Sequence, residues 1–117
     1  TTGLAITTEE KNMDAITAVS GSGPAYAFLV AEAMMNAAVQ VGLDINTARQ
    51  LVLKTLAGSI KMLEDTGEHP AIFREQVCSP AGTTIAGVRQ LEAKGLRTAF
   101  FNAIEAAYLR SIELGNK

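Results

Sequence analysis

The sequence predicts an all-α fold, a bundle of about six helices. Three observations predict it. Apolar residues recur at three- and four-residue spacing along most of the chain. The breaks between these stretches are short and carry glycine or proline, at Ser20–Gly23, Gly42, Gly67–Pro70, Ser79–Gly82 and Gly95. No run of β-branched residues bounded by turns is present to form a hairpin.

Each element has its own signals. The first helix is expected over Glu9–Val19, with Thr8 as a cap whose hydroxyl accepts an orphan backbone N–H, and Ser20-Gly21-Ser22-Gly23 ends it. The second begins at Pro24, where a missing N–H is no loss, and runs to Val41. Tyr26, Leu29, Val30, Ala33, Met34, Ala37 and Val41 make one apolar face, while Phe28, Ala31, Met35, Ala38 and Val39 make the others apolar too. Only Glu32, Asn36 and Gln40 form a polar stripe. A helix so apolar all round must be covered on most sides, and a small monomer has difficulty enclosing it, so a subunit interface is expected there.

Gly42 stops this helix and Asp44 caps the third, which runs to Asp65 with Ile45, Ala48, Leu51, Val52, Leu56, Ile60 and Leu63 as its core stripe. Gly67 marks the next turn. Pro70 starts a short helix to Cys78, Ser79-Pro80-Ala81-Gly82 interrupts, and a fifth helix covers Thr83–Lys94 up to Gly95. The last runs from Leu96 to Leu114, with Ala99, Phe100, Ala103, Ile104, Ala107, Tyr108 and Ile112 on its apolar face.

The totals exclude several classes of function. At 117 residues, 48% hydrophobic and 19% charged, the chain fits one domain with a packed core and not a disordered tail. A net charge of −2 without a basic run gives no reason to expect nucleic acid or an anionic membrane as partner. No apolar run reaches the roughly 18 residues of a membrane span, and no signal peptide is visible. One cysteine, Cys78, and one histidine, His69, allow neither an intrachain disulfide nor a Cys/His metal cluster, so no metal is expected and a reducing cytoplasm suits the chain. The chain opens Thr1-Thr2-Gly3 with no initiator methionine, as expected for a piece of a longer protein.

Two glycine-bearing segments could carry chemistry. Gly21-Ser22-Gly23-Pro24-Ala25-Tyr26, with Asp44 about 20 residues on, invites a dinucleotide-binding reading. Tyr26 stands at the third glycine position and no βαβ unit surrounds it, so a helix joint is the better reading, with glycines that permit close backbone approach. Ser79-Pro80-Ala81-Gly82-Thr83-Thr84 says more. Pro80 blocks helix continuation, Gly82 frees the backbone to turn, and the N–H groups of Gly82, Thr83 and Thr84 open a helix. Unpaired donors at the positive end of a helix dipole suit a small carboxylate, and two hydroxyls beside it can reach a ring nitrogen. The plainer alternative is that Thr83 merely caps its helix. His69 reads as a surface residue, Cys78 as a small buried one, and Glu64, Asp65 and Glu68 as solvated carboxylates without regular pairing.

Ser20-Gly21-Ser22-Gly23-Pro24-Ala25-Tyr26, and Val77 through Ser79-Pro80-Ala81-Gly82-Thr83-Thr84 to Val88 with Leu91-Glu92 following, together resemble pyrroline-5-carboxylate reductase, the last enzyme of proline biosynthesis. Met62, Leu63, His69 and Pro70 between them also fit, and the likeness covers the chain from about Asp14 onward. The resemblance implies an N-terminal Rossmann domain that holds NADPH or NADH; its Gly-x-Gly-x-x-Gly turn and strand–helix alternation are absent here. Residues 1–117 would then be the C-terminal helical dimerisation and substrate-loop domain, interleaved with a twin as a homodimer, with dimers joining into larger rings. It implies reduction of the C=N bond of 1-pyrroline-5-carboxylate to L-proline, with Ser79, Gly82, Thr83 and Thr84 binding substrate. Thr84 matches the threonine that contacts the ring nitrogen. Ala81 and Thr83 stand where some relatives have glycine and alanine, which leaves the backbone role intact.

The isolated chain is expected to be inactive, with no cofactor site of its own. A second reading is a non-catalytic helical oligomerisation module of the same fold. A third is the helical domain of a hydroxyacid or ketopantoate reductase, which carries a catalytic lysine; Lys54 and Lys61 are present but lie in no matching motif.

Overall fold

A computed structural model describes residues 10–78 and 82–116. Among these the chain is helical throughout, with no strand. A 3-10 turn (Glu10–Asn12) leads into α1 (Met13–Ile16) and a π turn (Thr17–Gly21); α2 (Gly23–Gln40), α3 (Ile45–Thr66), α4 (Pro70–Cys78), α5 (Gly82–Ala93) and α6 (Leu96–Gly115) follow. The all-α expectation and the five main helices stand, with ends displaced by a residue or two as helix ends usually are. Thr8, the expected first cap, lies outside the described residues.

The glycine-serine joint is tighter than its composition implies. The helix expected to end at Val19 continues to Gly21, because the Ser22 N–H donates to the Thr17 carbonyl at 2.9 Å, a bond spanning five residues. That wider turn absorbs one extra residue. Ser22 alone breaks the helix, and the Ala25 N–H returns to the Ser22 carbonyl at 3.0 Å to start α2. Gly21 and Gly23 are not in the left-handed region, so neither is needed there for a reversed backbone.

The other corners follow capping chemistry. After α2, the Leu43 N–H donates to the Ala38 carbonyl at 3.1 Å and the Gly42 N–H to Val39 at 3.0 Å. This paired closure needs a left-handed residue, and Gly42 supplies it with φ 114°. Asp44 then caps α3: its carboxylate accepts from the Thr47 N–H at 2.9 Å and from the Thr47 hydroxyl at 2.8 Å. Gly67, at φ 67° and ψ 10°, ends α3 with its N–H on the Leu63 carbonyl. An alanine forced into that left-handed conformation would cost roughly 1–2 kcal/mol.

Two compact units emerge, one joining Thr1–Phe28 to Lys94–Lys117 and the other Leu29–Ala93. In the first, α6 packs against α1 and its π turn. Ala18 on that turn is fully buried, and the Ser111 hydroxyl donates to the Asp14 carboxylate at 2.7 Å, tying α6 to α1 across the sequence. In the second, α4 packs against α5. On α3 the expected stripe is buried only at Ala48 and Val52; Leu56 and Leu63 are half-buried, while Ile45, Leu51 and Ile60 are exposed.

The core is therefore small. Ala18, Ala48 and Val52 are the only buried apolar residues described, and no large side chain is fully enclosed. The apolar α2 has no buried residue: Phe28 is 73% exposed and Leu29 63%. The expectation that one chain cannot cover this helix is what the single chain displays.

The Asp44 cap makes stability pH-dependent. Its carboxyl lies below the ordinary carboxylate value, first through the Thr47 backbone N–H and then through the Thr47 hydroxyl. A lowered folded value means the cap is fully present above the ordinary carboxylate pKa and is lost as pH falls through the lowered one. Asp44→Ala is expected to lower the thermal midpoint at neutral pH, with the difference from wild type shrinking as the medium is acidified to about pH 3. Asp44→Asn, which still accepts a hydrogen bond, should keep the cap across this range. Circular-dichroism melts along a pH series check both.

Candidate functional site at the start of α5

Gly82, Thr83 and Thr84 are the first three residues of α5, so the structure brings three of the four sequence-derived site residues together. Ser79, the fourth, lies outside the described residues. In a helix of 12 residues the N–H groups of the first turn have no partner within the helix itself, and the dipole concentrates partial positive charge there. Gly82 and Thr83 are exposed and Thr84 is half-buried. Thr84 lies one turn before Val88, which is also half-buried, so both fall on the partly covered face of α5.

The structure corrects two readings of this segment. Thr83 is the second residue inside the helix, not its cap. Gly82 does not turn the backbone: it is already helical without a positive φ, and a Cβ placed there meets no described atom within 4 Å beyond its own neighbours.

A cleft of about 530 Å³ lies between α4 and α5, lined by Arg74, Glu75 and Cys78 from α4 and by Ile85, Val88, Arg89 and Glu92 from α5. The sequence reading missed the two arginines. Helical register could have found them, since Arg74 is one turn before Cys78 and Arg89 one turn after Ile85. Cys78 is a free, half-buried thiol, less covered than expected.

The corner before α4 also differs from the reading of unpaired surface groups. Asp65 pairs with Lys61 at 2.9 Å. The His69 N–H donates to Glu68 Oε1 at 3.2 Å, and the Ala71 N–H donates to His69 Nδ1 at 3.0 Å, so His69 caps α4 ahead of Pro70. The Lys61–Asp65 pair sits on an exposed helix face, its side chains 74% and 58% accessible. That is a poor setting for a catalytic lysine and argues against the hydroxyacid-reductase reading.

These residues do not fit a dinucleotide. Gly21-Ser22-Gly23 follows a helical turn instead of a strand, and a Cβ at Gly23 meets nothing within 4 Å, so no glycine cradle for a pyrophosphate exists at that joint. No group of three or more His, Cys, Asp or Glu residues is arranged to hold a metal among the described residues, and no described helix is long and apolar enough to cross a membrane.

The fold is that of a small helical domain whose long apolar helices are left largely uncovered within one chain. The sequence pattern described as pyrroline-5-carboxylate reductase dimerisation matches residues 10–114, and the chain belongs to this family. It is 48% identical over 115 residues to a pyrroline-5-carboxylate reductase of Synechocystis, covering 98% of this chain and 43% of that protein. It is 47% identical to pyrroline-5-carboxylate reductase 3 of Xenopus laevis, covering the whole chain and again 43% of the relative. Among solved structures, pyrroline carboxylate reductase of Plasmodium falciparum with NADP bound superimposes with a TM-score of 0.88 at 36% identity, over 92% of this chain and 41% of that one. The reductase of Coxiella burnetii gives 0.87 at 41% identity, over 92% and 40%. The chain thus spans less than half the length of these relatives.

The open space at Gly82 yields a stability test. Gly82→Ala is expected to leave the thermal midpoint unchanged or slightly raised, a change within about 1 kcal/mol. Thermal melts decide it: a loss above about 2 kcal/mol would mean that packing, and not ligand approach, requires glycine there.

Proposed function

We propose that this chain is the dimerisation and substrate-loop part of a pyrroline-5-carboxylate reductase, which reduces 1-pyrroline-5-carboxylate to L-proline with NADPH or NADH. The observation that carries the association half is the uncovered apolar surface of α2, in a chain whose family is named for dimerisation. The chemical half is supported by the family and by the N–H donors of Gly82, Thr83 and Thr84 at an open helix start.

The division of labour follows from what these residues can and cannot do. A nicotinamide, held mainly by a dinucleotide-binding domain outside residues 1–117, would supply the hydride to the imine carbon, and a proton would complete the amine at nitrogen. The α5 N–H groups hold the substrate carboxylate and thereby fix the ring, an orienting role that lowers the entropy lost at reaction. The Thr84 hydroxyl contacts the ring nitrogen. Threonine is a weak acid, so its hydroxyl orients the nitrogen and relays a proton from water. Ser79 completes the carboxylate contacts in this reading. The homodimer forms through α2, and dimers join into a larger ring. A free Cys78 suits a reducing cytoplasm. The alternative of a non-catalytic module predicts no proline at the α5 start.

Two outcomes test the proposal. Sedimentation at micromolar concentration should show a dimer, and Ala33→Asp or Ala37→Asp on α2 should dissociate or unfold it by placing an unpaired charge in the interface. A monodisperse wild-type monomer would refute the association half. In the intact reductase, Thr84→Ala should lower kcat/KM for 1-pyrroline-5-carboxylate by roughly tenfold to a hundredfold, the value of one hydrogen bond to a charged reacting group. Wild-type kinetics would remove the Thr84 side chain from the chemistry and leave only its backbone N–H.

A further inference from the structure

We infer that His69 is a positioning residue: by capping α4 it fixes the angle at which the α4–α5 pair leaves α3, and with it the place of the α5 start. The inference rests on the proposed carboxylate site at Gly82–Thr84.

The corner from α3 to α4 has only three residues, Gly67, Glu68 and His69. A run of short bonds crosses it. The Thr66 hydroxyl donates to the Met62 carbonyl at 2.7 Å and accepts from the Glu68 N–H at 3.2 Å. The His69 N–H then donates to Glu68 Oε1, and the Ala71 N–H to His69 Nδ1 at 3.0 Å. The Ile72 N–H donates to the His69 carbonyl at 3.0 Å. His69 therefore satisfies two first-turn donors of α4 at once, one with its ring and one with its backbone. Pro70 beside it has no N–H to satisfy.

The side chain is exposed, so apolar packing does not explain a histidine at this position. Its ring does what Ser, Thr, Asp or Asn usually do at such an end. The consequence travels because α5 leans on α4. With a nine-residue α4, a change in its first turn is not damped by length; it displaces the far end, where Cys78 leads toward Gly82. Loss of the cap thus loosens the α5 start without touching a ligand there.

The test uses the isotope-labelled chain and L-proline as probe, followed by amide resonances in NMR. In the wild type, proline should shift the amides of Gly82, Thr83 and Thr84. His69→Ala should speed hydrogen exchange at Ala71 and weaken proline binding by roughly threefold to tenfold, the usual scale for a lost N-cap. His69→Asn, which restores an acceptor, should recover both readouts. A purely structural role would lower the melting temperature of His69→Ala while leaving the proline affinity of the folded chain unchanged, and that result overturns the inference. Failure of His69→Asn to rescue also overturns it, since the acceptor would then not be what matters. If wild type shows no proline-dependent shift at the three amides, the carboxylate-site reading fails first and this inference goes with it.

Discussion

Apolar helix surface that one chain leaves uncovered is the constraint on which the rest depends. Exposed Phe28, Leu29, Val39 and Val41 lie along or just beyond α2, and Phe101, Leu109 and Leu114 along α6. Taking one large apolar side chain out of water is worth about 1.5–3 kcal/mol, whereas associating two bodies costs about 4–15 kcal/mol. A few residues of this kind do not hold a dimer, but rods lined with them do. Three small buried side chains, by contrast, are a meagre core for a chain of this length. The 18-residue α2 and the 22-residue α3 need partners along their length that α4 and α5 are too short to provide.

With so little burial within the chain, local chemistry has more to do. The corners are closed by bonds that need no core: the paired closure at Gly42, the Asp44–Thr47 cap, the left-handed stop at Gly67 and the His69 cap. Each fixes a direction over three or four residues. Short linkers whose backbone groups are bonded in this way leave few alternative angles.

Elements read from sequence and elements that needed the structure differ by the range of the interaction. Helix ends were legible because caps are local: Asp44, Gly42, Gly67 and Pro70 each announce a boundary by residue type. The over-apolar α2 was legible because periodicity shows how many faces are greasy, even where it cannot show what covers them. The π turn was not, since Thr17–Gly21 has the composition of an ordinary helix end and only a five-residue bond distinguishes it. His69 was read as idle surface because histidine is not among the usual caps and its role lies in one ring nitrogen. The helix start at Gly82 was legible from Pro80 and Gly82 in the sequence. The α4–α5 cleft and its two arginines were not, because they depend on how two helices rotate against each other.

The placement of the α5 start has its own logic. The carboxylate role proposed for this helix start uses backbone N–H groups and no charged side chain, so it tolerates variation at Ala81 and Thr83 as long as the helix begins in the same place. Its accuracy then depends on the helix that carries it. α5 is anchored laterally by α4, and α4 is anchored at one end by the His69 cap. A helix end supported this way inherits its precision from a corner on the far side of a nine-residue helix. The two features lie on different elements: apolar girth runs along α2, and the helix start proposed for the substrate carboxylate belongs to α5.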